Sequence, residues 1–361
     1  MTEGRAESRS RTIVPRFTTG QASELAERHY GFAAGARELP SELDQNFRLT
    51  AADGEYVLRI ARSDADPAFV EAQVEVLRYL AAPPSRERAA ESGSRADEPL
   101  LPTPEVILSP DGAAIQETRS DAESHLVWLV RFLAGRPLAE ARPHRPELLS
   151  SFGRGLGELD LRLASFSHAA VHRDLRWDLR NAPAVRPLLE DVEPARRGLV
   201  MARLDRAEGE VLPRLRETRV QVIHNDANDY NVLVDASGTA ITGLLDFGDM
   251  VHGHLVCEPA VALAYVMMDH LDPMSAARHF MAGYQSACPL TEAEILLLPD
   301  LIVTRLCVSV VLSAHRRRSR PDNAYLTVSE APAWRLLDLL RTVDGDELGA
   351  ELAGACGCAG P

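Results

Sequence analysis

The chain has 361 residues, of which 45% are hydrophobic, and this composition is enough for a sizeable core in one large domain or two smaller ones. Its formal net charge of -14 argues against a nucleic acid or an anionic membrane surface as partner, because both are polyanions. All 39 basic residues are Arg and none is Lys, so a site that usually carries Lys is expected to carry Arg in this chain.

The cysteine content and the terminal segments indicate the cellular compartment. Five scattered Cys residues suggest no disulfide framework and fit a reducing compartment, and Cys356 and Cys358 in the small-residue tail are expected to belong to a frayed end. The polar N-terminus lacks the apolar core of a signal peptide. No run approaches the roughly 18 uninterrupted apolar residues of a membrane span. We therefore expect a soluble, cytoplasmic protein.

Strand patterns dominate the first 134 residues. Alternating apolar residues flank the turn signal Asp53-Gly54 and predict a hairpin from Gln45 to Ile60. A helix is predicted to start at Asp66-Pro67, and the charged, Pro/Ser-rich segment 83–99 is predicted to be a flexible loop. A second hairpin around Asp111-Gly112 and a further strand follow, which together indicate an α+β lobe with one helix.

From residue 135 onward the pattern is mainly helical. We expect a disordered N-terminus at 1–20, a first lobe at 21–134, a helical lobe at 135–345 and a disordered tail at 346–361. The predicted helices of the second lobe are Leu148–Leu163, Pro194–Arg216, Glu258–Asp269, Ala276–Ala287, Glu292–His315 and Ser329–Thr342.

A single β-hairpin is predicted within this helical half. The strand "NVLVD" begins at Asn231, and the returning strand "TAITGLLD" ends at Asp246. Because antiparallel pairing brings the start of one strand beside the end of the other, Asn231 and Asp246 should lie at the same end of the ribbon. The polar loop from His224 to Tyr230 is then expected beside both.

The spacing of these polar residues indicates phosphoryl transfer. His224-x-Asp226-x(4)-Asn231, followed by Asp246-Phe-Gly-Asp249, has the spacing of a kinase catalytic loop and metal-binding motif. We expect Asp226 to be the catalytic base, Asn231 and Asp246 to be metal ligands, and His224 to brace the loop. The alternative is a polar turn whose Asx side chains cap backbone groups. Two observations favour the catalytic interpretation: the second motif follows at the end of the predicted hairpin, and a strand-rich lobe precedes both motifs in the chain.

The first lobe should then bind the phosphates. Arg59 on the second strand of the first hairpin stands where a kinase carries its Lys, and its guanidinium can bind phosphate oxygens; the alternative is a solvated strand residue. On the next helix, Glu71 or Glu75 could pair with Arg59, with Gln73 as the neutral competitor. Two further amides that could reach the phosphates precede this strand: Gln45 and Asn46.

These motifs resemble a known family. "HNDANDYNVLV" together with "GLLDFGDM" resembles the aminoglycoside phosphotransferase superfamily of small-molecule kinases. Within it, Asn225, Asp229, Tyr230 and the Gly-Asp-Met ending look closest to the hydroxylysine kinase branch. The segments "SELDQNF", "YVLRIAR", "HRDLRWDLRNA" and "RPDNAYLTVSEAPAW" agree with this resemblance, which covers roughly residues 20 to 340.

The resemblance implies a two-lobed, protein-kinase-like α+β fold, with a small β-rich nucleotide-binding N-lobe and a larger helical C-lobe. It implies Mg²⁺ and transfer from ATP or GTP to a hydroxyl of an amino-bearing small molecule, an amino alcohol or a hydroxy amino acid. It also assigns Asp226 as base and Asn231 and Asp246 as metal ligands, in agreement with the interpretation from the residues themselves.

A cationic acceptor would need carboxylates, and the helical lobe offers Asp249, Asp178 and Glu258. A zwitterionic acceptor would also need a cation, for which Arg305 is the candidate; the alternative is an Arg that snorkels from a half-buried face. Trp177 could contact an alkylammonium through its ring, or could simply be a core or hinge residue.

Hydroxylysine is the leading acceptor, ahead of an aminoglycoside, choline or ethanolamine, or homoserine. A non-catalytic nucleotide-binding module is the alternative from another class, and intact Asp226, Asn231 and Asp246 argue against it. The basic run from His315 to Arg320 suggests a docking patch, but a basic helix C-terminus explains it as well. Protein-kinase activity is disfavoured because no A-P-E-like element follows Asp246.

Overall fold

A computed structural model describes residues 15–82, 101–120, 123–319, 328–342 and 345–355. It divides into two compact units, and the division falls after Phe132, two residues before the lobe boundary that the sequence predicts. The first unit comprises the described residues up to Ala81 together with Pro104–Phe132, and the second comprises the remaining described residues. The predicted flexible loop at 83–99 and the first 14 residues of the predicted disordered N-terminus lie outside the described residues.

The first unit is built on an antiparallel sheet of six strands: β1 Ala34–Leu39, β2 Gln45–Ala51, β3 Gly54–Ile60, β4 Val106–Ile107, β5 Gln116–Ser120 and β6 Glu123–Arg131. Their order in the sheet is β1-β2-β3-β6-β4, with β5 also paired to β6. The predicted hairpin is confirmed, since Ala51 pairs with Gly54 across the turn. Alternate residues of β2 and β3, such as Phe47 and Leu58, are fully buried in the core.

The first unit contains two helices, α1 Thr19–Tyr30 and α2 Pro67–Ala81, of which the sequence predicted only the second. The predicted disorder up to residue 20 is wrong from Phe17 onward, because Phe17 is buried in the core and a capping box at Thr18 starts α1. The predicted hairpin around Asp111-Gly112 is also wrong in its pairing, because β4 and β5 each pair with β6.

The second unit is mainly helical, as predicted, and most helix ends differ from the prediction by a few residues. The predicted helix from Pro194 to Arg216 contains a π-helical turn at Ala207–Val211 between two α-helical segments. The predicted disordered tail is wrong at its start, because a helix there buries Leu348 and Leu352. The helices are α3 Pro146–Leu163, α4 Pro194–Arg206, α5 Cys257–Met267, α6 Pro273–Ala287, α7 Leu298–Ser319, α8 Glu330–Leu340 and α9 Gly345–Ala355.

Helices α3 and α6 pack with their backbones in contact. A Cβ atom on Gly153 would lie 1.9 Å from the carbonyl oxygen of Phe280, and one on Gly283 would lie 1.9 Å from that of Ser150. Only glycine fits at these two positions, so the crossing is set by the sequence itself. This contact fixes the position of α3, which carries a buried carboxyl discussed below.

Two β-ribbons interrupt the helices, whereas the sequence predicted one. The predicted hairpin is confirmed as β9 Val232–Val234 and β10 Ile241–Leu244, and the two residues Arg136–Pro137 (β7) pair with β9. A second antiparallel ribbon joins β8 Val220–Ile223 to β11 Val251–His254. Strand β8 leads into the polar loop and β11 follows the second motif, so both motifs are held between the two ribbons.

Within the described residues, one segment is long and apolar enough to resemble a membrane span by composition: Glu292–Ser319, which comprises a short helix at Glu292–Ile295 and α7. Its apolar window is 83% buried inside the protein, which is typical of a core helix.

Candidate active site

The carboxylate of Asp226 lies at the centre of the polar loop and is 19% exposed. Its Oδ1 accepts a hydrogen bond of 2.8 Å from Nη2 of Arg305. Its Oδ2 accepts hydrogen bonds of 2.9 Å from Nδ2 of both Asn228 and Asn231. The predicted base is therefore oriented by three donors, and a hydroxyl that approaches its exposed side would meet a fixed acceptor.

His224 links the loop to the end of β10. Its Nε2 bonds the carbonyl oxygen of Leu245 at 2.9 Å, and its Nδ1 accepts from the backbone N–H of Asp226 at 3.2 Å. One ring nitrogen donates and the other accepts, which is the pattern of a neutral imidazole. The ring also packs edge-on against Phe247, with centroids 4.7 Å apart. This geometry fits the predicted bracing role.

Asn231 and Asp246 lie at the same end of the ribbon, as the hairpin pattern predicts, because the N–H of Leu245 donates to the carbonyl oxygen of Asn231 at 2.8 Å. Asn231 donates its amide nitrogen to Asp226, which turns its amide oxygen away from that carboxylate. Asp246 is exposed and adopts a left-handed backbone with φ 58°, and its Oδ1 accepts from the N–H of Gly248 at 3.1 Å.

Amide and carboxylate oxygens are ligands that Mg²⁺ prefers. Among the described residues, no group of three or more His, Cys, Asp and Glu side chains is arranged to hold a metal ion. A pair such as Asn231 and Asp246 still suits Mg²⁺, which commonly takes one or two protein carboxylates and completes its shell with phosphate and water oxygens. The donor set therefore fits the implied ion.

The negative charges around Asp226 favour cationic ligands. Burial, reinforced by the charges of Asp226 and Asp246, raises the pKa of Asp249 to about 7, and the guanidinium groups of Arg305 and Arg173 oppose this shift. Burial likewise raises the pKa of Asp226, and Arg305 is the main group that holds it down. A cation placed among these carboxylates would be stabilised by all three.

Arg305 does not snorkel: its side chain is 1% exposed. The guanidinium lies 4.5 Å from the ring centroid of Trp177 and 5.5 Å from that of Tyr265. It also approaches the carbonyl oxygen of Trp177 and the hydroxyl of Tyr265 at 3.3 Å. The sequence analysis missed Tyr265, because an aromatic residue on an apolar helix usually belongs to the core. Arg305 is thus held against Asp226 and is too buried to serve as the predicted partner of an acceptor carboxylate.

Two further acceptor-site predictions do not fit the structure. The Trp177 ring contacts the guanidinium groups of both Arg305 and Arg316, the latter at 5.1 Å, so an alkylammonium there would meet two cations. Asp178 is buried, caps the backbone N–H of Arg180 at 2.9 Å, and accepts from Nε of the same residue at 2.7 Å. Its charge is already neutralised by that Arg.

Glu258 is fully buried, so the prediction that it binds the acceptor is also wrong. Its Oε2 accepts the backbone N–H of Asn225 at 2.8 Å. Asn225 has φ 65°, a left-handed conformation that non-glycine residues seldom adopt. Its Nδ2 approaches the carbonyl oxygen of Asp249 at 3.3 Å. Glu258 therefore holds the residue that precedes Asp226 in an unusual backbone conformation.

In the first unit, Asn46, Arg59 and Trp128 are neighbours across three strands. Arg59 pairs with Asn46 on β2 and with Trp128 on β6, and its guanidinium lies 5.2 Å from the Trp128 ring centroid. Arg59 is half-buried and lies on the opposite face of β3 from the core residues Leu58 and Ile60. The Oδ1 of Asn46 and the Nε1 of Trp128 are buried without a hydrogen-bond partner in the protein.

The other two predicted phosphate-site residues occupy different positions. The amide of Gln45 is buried and bonds the backbone N–H and carbonyl of Phe17 at 2.8 and 3.0 Å, and the side chain of Glu38 at 2.8 Å. It is therefore used to attach the N-terminal segment and does not fit the predicted phosphate contact. Glu71 is exposed on α2, whereas its neutral competitor Gln73 is buried.

The basic run at the end of α7 forms ion pairs within the protein. His315 and Arg318 both contact Asp191, and Arg317 contacts Glu330 at 2.6 Å. These contacts do not favour a docking patch, because the charges are already partnered.

A family model described as the phosphotransferase enzyme family matches residues 35–294. The chain belongs to this family. Proteins named hydroxylysine kinase are its relatives: the one from Mus musculus is 31% identical and covers 94% of this chain and 93% of its own length. That from Bos taurus is 31% identical with 93% of each chain covered, and that from Danio rerio is 28% identical with 92% and 94% covered. The chain is accordingly a phosphotransferase that acts on a hydroxyl group.

Solved structures of other kinases share the fold at low sequence identity. An amicoumacin kinase in complex with AMP-PNP and Ca²⁺ superposes with a TM-score of 0.67 at 17% identity, covering 92% of this chain and 97% of its own. A microcompartment-associated aminopropanol kinase gives 0.62 at 18% identity, with 91% and 99% covered. These structures confirm the predicted kinase-like fold, and the family match together with the hydroxylysine kinase relatives confirms the predicted small-molecule kinase activity.

Proposed function

We propose that this phosphotransferase transfers the γ-phosphoryl group of ATP or GTP to the hydroxyl of 5-hydroxylysine in the cytoplasm. Similarity to proteins named hydroxylysine kinase over nearly the whole chain supports this acceptor. The observation that carries the mechanism is the carboxylate of Asp226, held by Arg305 and Asn231 within 2.9 Å. The described cysteines Cys257, Cys288 and Cys307 are free and buried, in keeping with a reducing compartment.

Asp226 accepts the proton of the acceptor hydroxyl as the oxygen attacks phosphorus. Its partly buried position would by itself favour the protonated, inactive form, and the adjacent Arg305 opposes this. The bonds from Asn228 and Asn231 fix the direction of the acceptor lone pairs. Orientation and proton transfer are the main contributions that a protein makes to phosphoryl transfer.

Asn231 and Asp246 would hold Mg²⁺ through their side-chain oxygens. When bound, this ion neutralises charge on the phosphate oxygens. Asn231 would have two roles, because its amide N–H donates to the carboxylate of Asp226 and its amide oxygen would bind the ion. This arrangement ties the position of the base to that of the ion.

In the first unit, Arg59 is the residue proposed to bind phosphate oxygens, in place of the Lys of other kinases. Its planar guanidinium can form two parallel bonds to a phosphate. Asn46 and Trp128 flank it in register and retain buried polar atoms without partners in the protein. Gln45 and Glu71 are not retained in this role.

For the acceptor, Asp249 is the carboxylate that we propose to bind an ammonium group, since Asp178 and Glu258 are engaged elsewhere. Arg173 lies near Asp249, where its charge opposes the rise in the pKa of that carboxyl, and it donates to the carbonyl oxygen of Gly248 at 2.6 Å. An adjacent carboxylate and guanidinium match the ammonium and carboxylate of an amino acid. One such pair is a poor match for a polycationic aminoglycoside, which would need a wider acidic surface.

The test is nucleoside diphosphate release by the purified protein with Mg²⁺ and either ATP or GTP. The acceptors are hydroxylysine, its decarboxylated analogue 1,5-diaminopentan-2-ol, ethanolamine, choline, homoserine and an aminoglycoside. We expect hydroxylysine to give the highest kcat/KM. A higher value for any other acceptor would replace hydroxylysine, and stimulation by none of them would contradict the proposal.

The Asp226→Asn variant tests the base. Turnover should fall about 10²-fold or more while Mg-nucleotide binding persists, because general-base catalysis typically contributes 10²–10⁴-fold. Asp205→Asn is the control, since that side chain is 63% exposed on α4. Wild-type turnover in Asp226→Asn would remove it as the base.

A further inference from the structure

Two buried carboxyl groups, Asp160 on α3 and Glu258 on α5, lie behind the catalytic loop and are both fully buried. Each uses one oxygen: Oδ2 of Asp160 bonds the hydroxyl of Tyr284 at 2.5 Å, and Oε2 of Glu258 accepts the N–H of Asn225 at 2.8 Å. The remaining oxygens, Oδ1 of Asp160 and Oε1 of Glu258, are buried and have no hydrogen-bond partner in the protein. Two buried oxygens without partners, in two carboxyl groups whose charges influence each other, require an explanation.

Burying both Asp160 and Glu258 in their ionised forms would cost folding free energy. Among the described residues, no Arg lies within ion-pair distance of Asp160 or Glu258, so two negative charges would be buried without a countercharge. Burial, followed by the charge of Glu258, raises the pKa of Asp160 well above its usual value. Burial also raises the pKa of Glu258, but the backbone N–H groups of Asn225 and His224 oppose that shift. Asp160 is therefore the group that holds a proton and Glu258 the group that stays charged.

We propose that Asp160 and Glu258 share one proton, so that Asp160 is a neutral acid that donates from Oδ1 to Oε1 of Glu258. The shared proton satisfies both unpartnered oxygens and leaves Glu258 with a single negative charge for the backbone N–H of Asn225. Glu258 is then a positioning residue, which keeps the left-handed Asn225, and with it Asp226, in place. The effect on turnover rests on the proposed role of Asp226, whereas the existence of the proton does not.

Infrared spectroscopy tests the proton directly, without any assumption about the acceptor. The wild-type protein at pH 7 should show a carboxylic-acid C=O stretching band that shifts in D₂O and is absent from Asp160→Asn. Asparagine at this position can still accept from Tyr284 and donate to Glu258, so the fold should persist with an unchanged circular dichroism spectrum. If the difference spectrum between wild type and Asp160→Asn lacks this band, the proposal is wrong, whatever the acceptor of the enzyme proves to be.

Kinetics then test the positioning role, because variants of the two carboxyl groups should differ in kcat. Asp160→Asn imitates the neutral acid and should keep kcat within about threefold of wild type. Glu258→Gln removes the charge that holds the loop and should lower kcat by about 10²-fold, with the KM of the nucleotide unchanged, since small displacements of a catalytic group cost this much. Glu258→Asp, which keeps the charge, should recover part of the loss. Equal losses in Asp160→Asn and Glu258→Gln would refute the shared proton.

Discussion

The pH dependence of stability offers a quantitative test of the buried carboxyl pair. Asp160 is fully buried and faces Glu258 from α5 and Tyr284 and Cys288 from the α6 side. Because its pKa is higher in the folded protein than in the unfolded chain, the folded state keeps a proton that the unfolded state releases. Stability must therefore fall as pH rises between the unfolded pKa and the folded pKa of this group.

The slope follows from the one-proton difference. In that window, Asp160 should cost the wild type about 1.4 kcal/mol of unfolding free energy for each pH unit, starting near pH 4, where an unfolded Asp ionises. Asp160→Asn cannot titrate, so the difference in unfolding free energy between variant and wild type should grow with this slope in favour of the variant. Below about pH 4 the difference should be constant, because Asp160 is protonated in both states.

Urea denaturation followed by tryptophan fluorescence, at half-unit steps from about pH 4.5 to 7.5, would measure both curves. Asp205→Asn is the control for the chemical change itself, because it replaces the same residue type at a position on α4 that is 63% exposed. Parallel curves for Asp160→Asn and wild type would show that Asp160 is ionised in the folded protein. The proposed shared proton would then be wrong.

Three further outcomes are expected. Asp246→Ala should weaken nucleotide binding in the presence of Mg²⁺ but not in its absence, as measured by calorimetry; unchanged Mg²⁺ dependence would exclude it as a ligand. Arg305→Met should destabilise the protein by about 3 kcal/mol or more in urea, because it leaves the Asp226 carboxylate unpaired in a largely buried site, and a loss below about 1 kcal/mol would contradict this. Gly283→Ala should lower the free energy of unfolding by at least about 3 kcal/mol, because its Cβ would lie 1.9 Å from the carbonyl oxygen of Ser150. Gly198→Ala on α4, whose Cβ would meet nothing within 4 Å, should instead raise the free energy of unfolding by up to about 1 kcal/mol.

Local patterns made part of the architecture predictable. The turn signal Asp53-Gly54 joins two alternating segments, so the β2/β3 hairpin follows from neighbouring residues alone. The same reasoning placed Asn231 and Asp246 together, because a short hairpin leaves little freedom in register. The second ribbon was missed because Ile223 pairs with Val251, and nothing near either residue in the sequence indicates the other.

The sequence did not show which charged residues are buried. An acidic residue in a kinase-like lobe is equally compatible with an acceptor site and with a structural role, and the sequence analysis placed Glu258 in the former. The structure gives Glu258 no exposed surface and a backbone N–H as partner. Asp160 was not considered at all, since a single Asp near the end of an amphipathic helix is normally solvated.

The polar loop also shows why two interpretations of its sequence, a catalytic loop and a backbone-capping turn, need not be alternatives. Asn228 behaves as a capping residue: its Oδ1 accepts the backbone N–H groups of Tyr230 and Asn231 at 2.8 and 3.1 Å. His224 does the same for the N–H of Asp226. Because these neighbours satisfy the backbone of a loop beside buried strands, the Asp226 carboxylate does not have to. Its oxygens accept only from side chains, which orient them, and one side of the group stays exposed for a hydroxyl. The many polar side chains of the loop thus leave the Asp226 carboxylate available to act as a base.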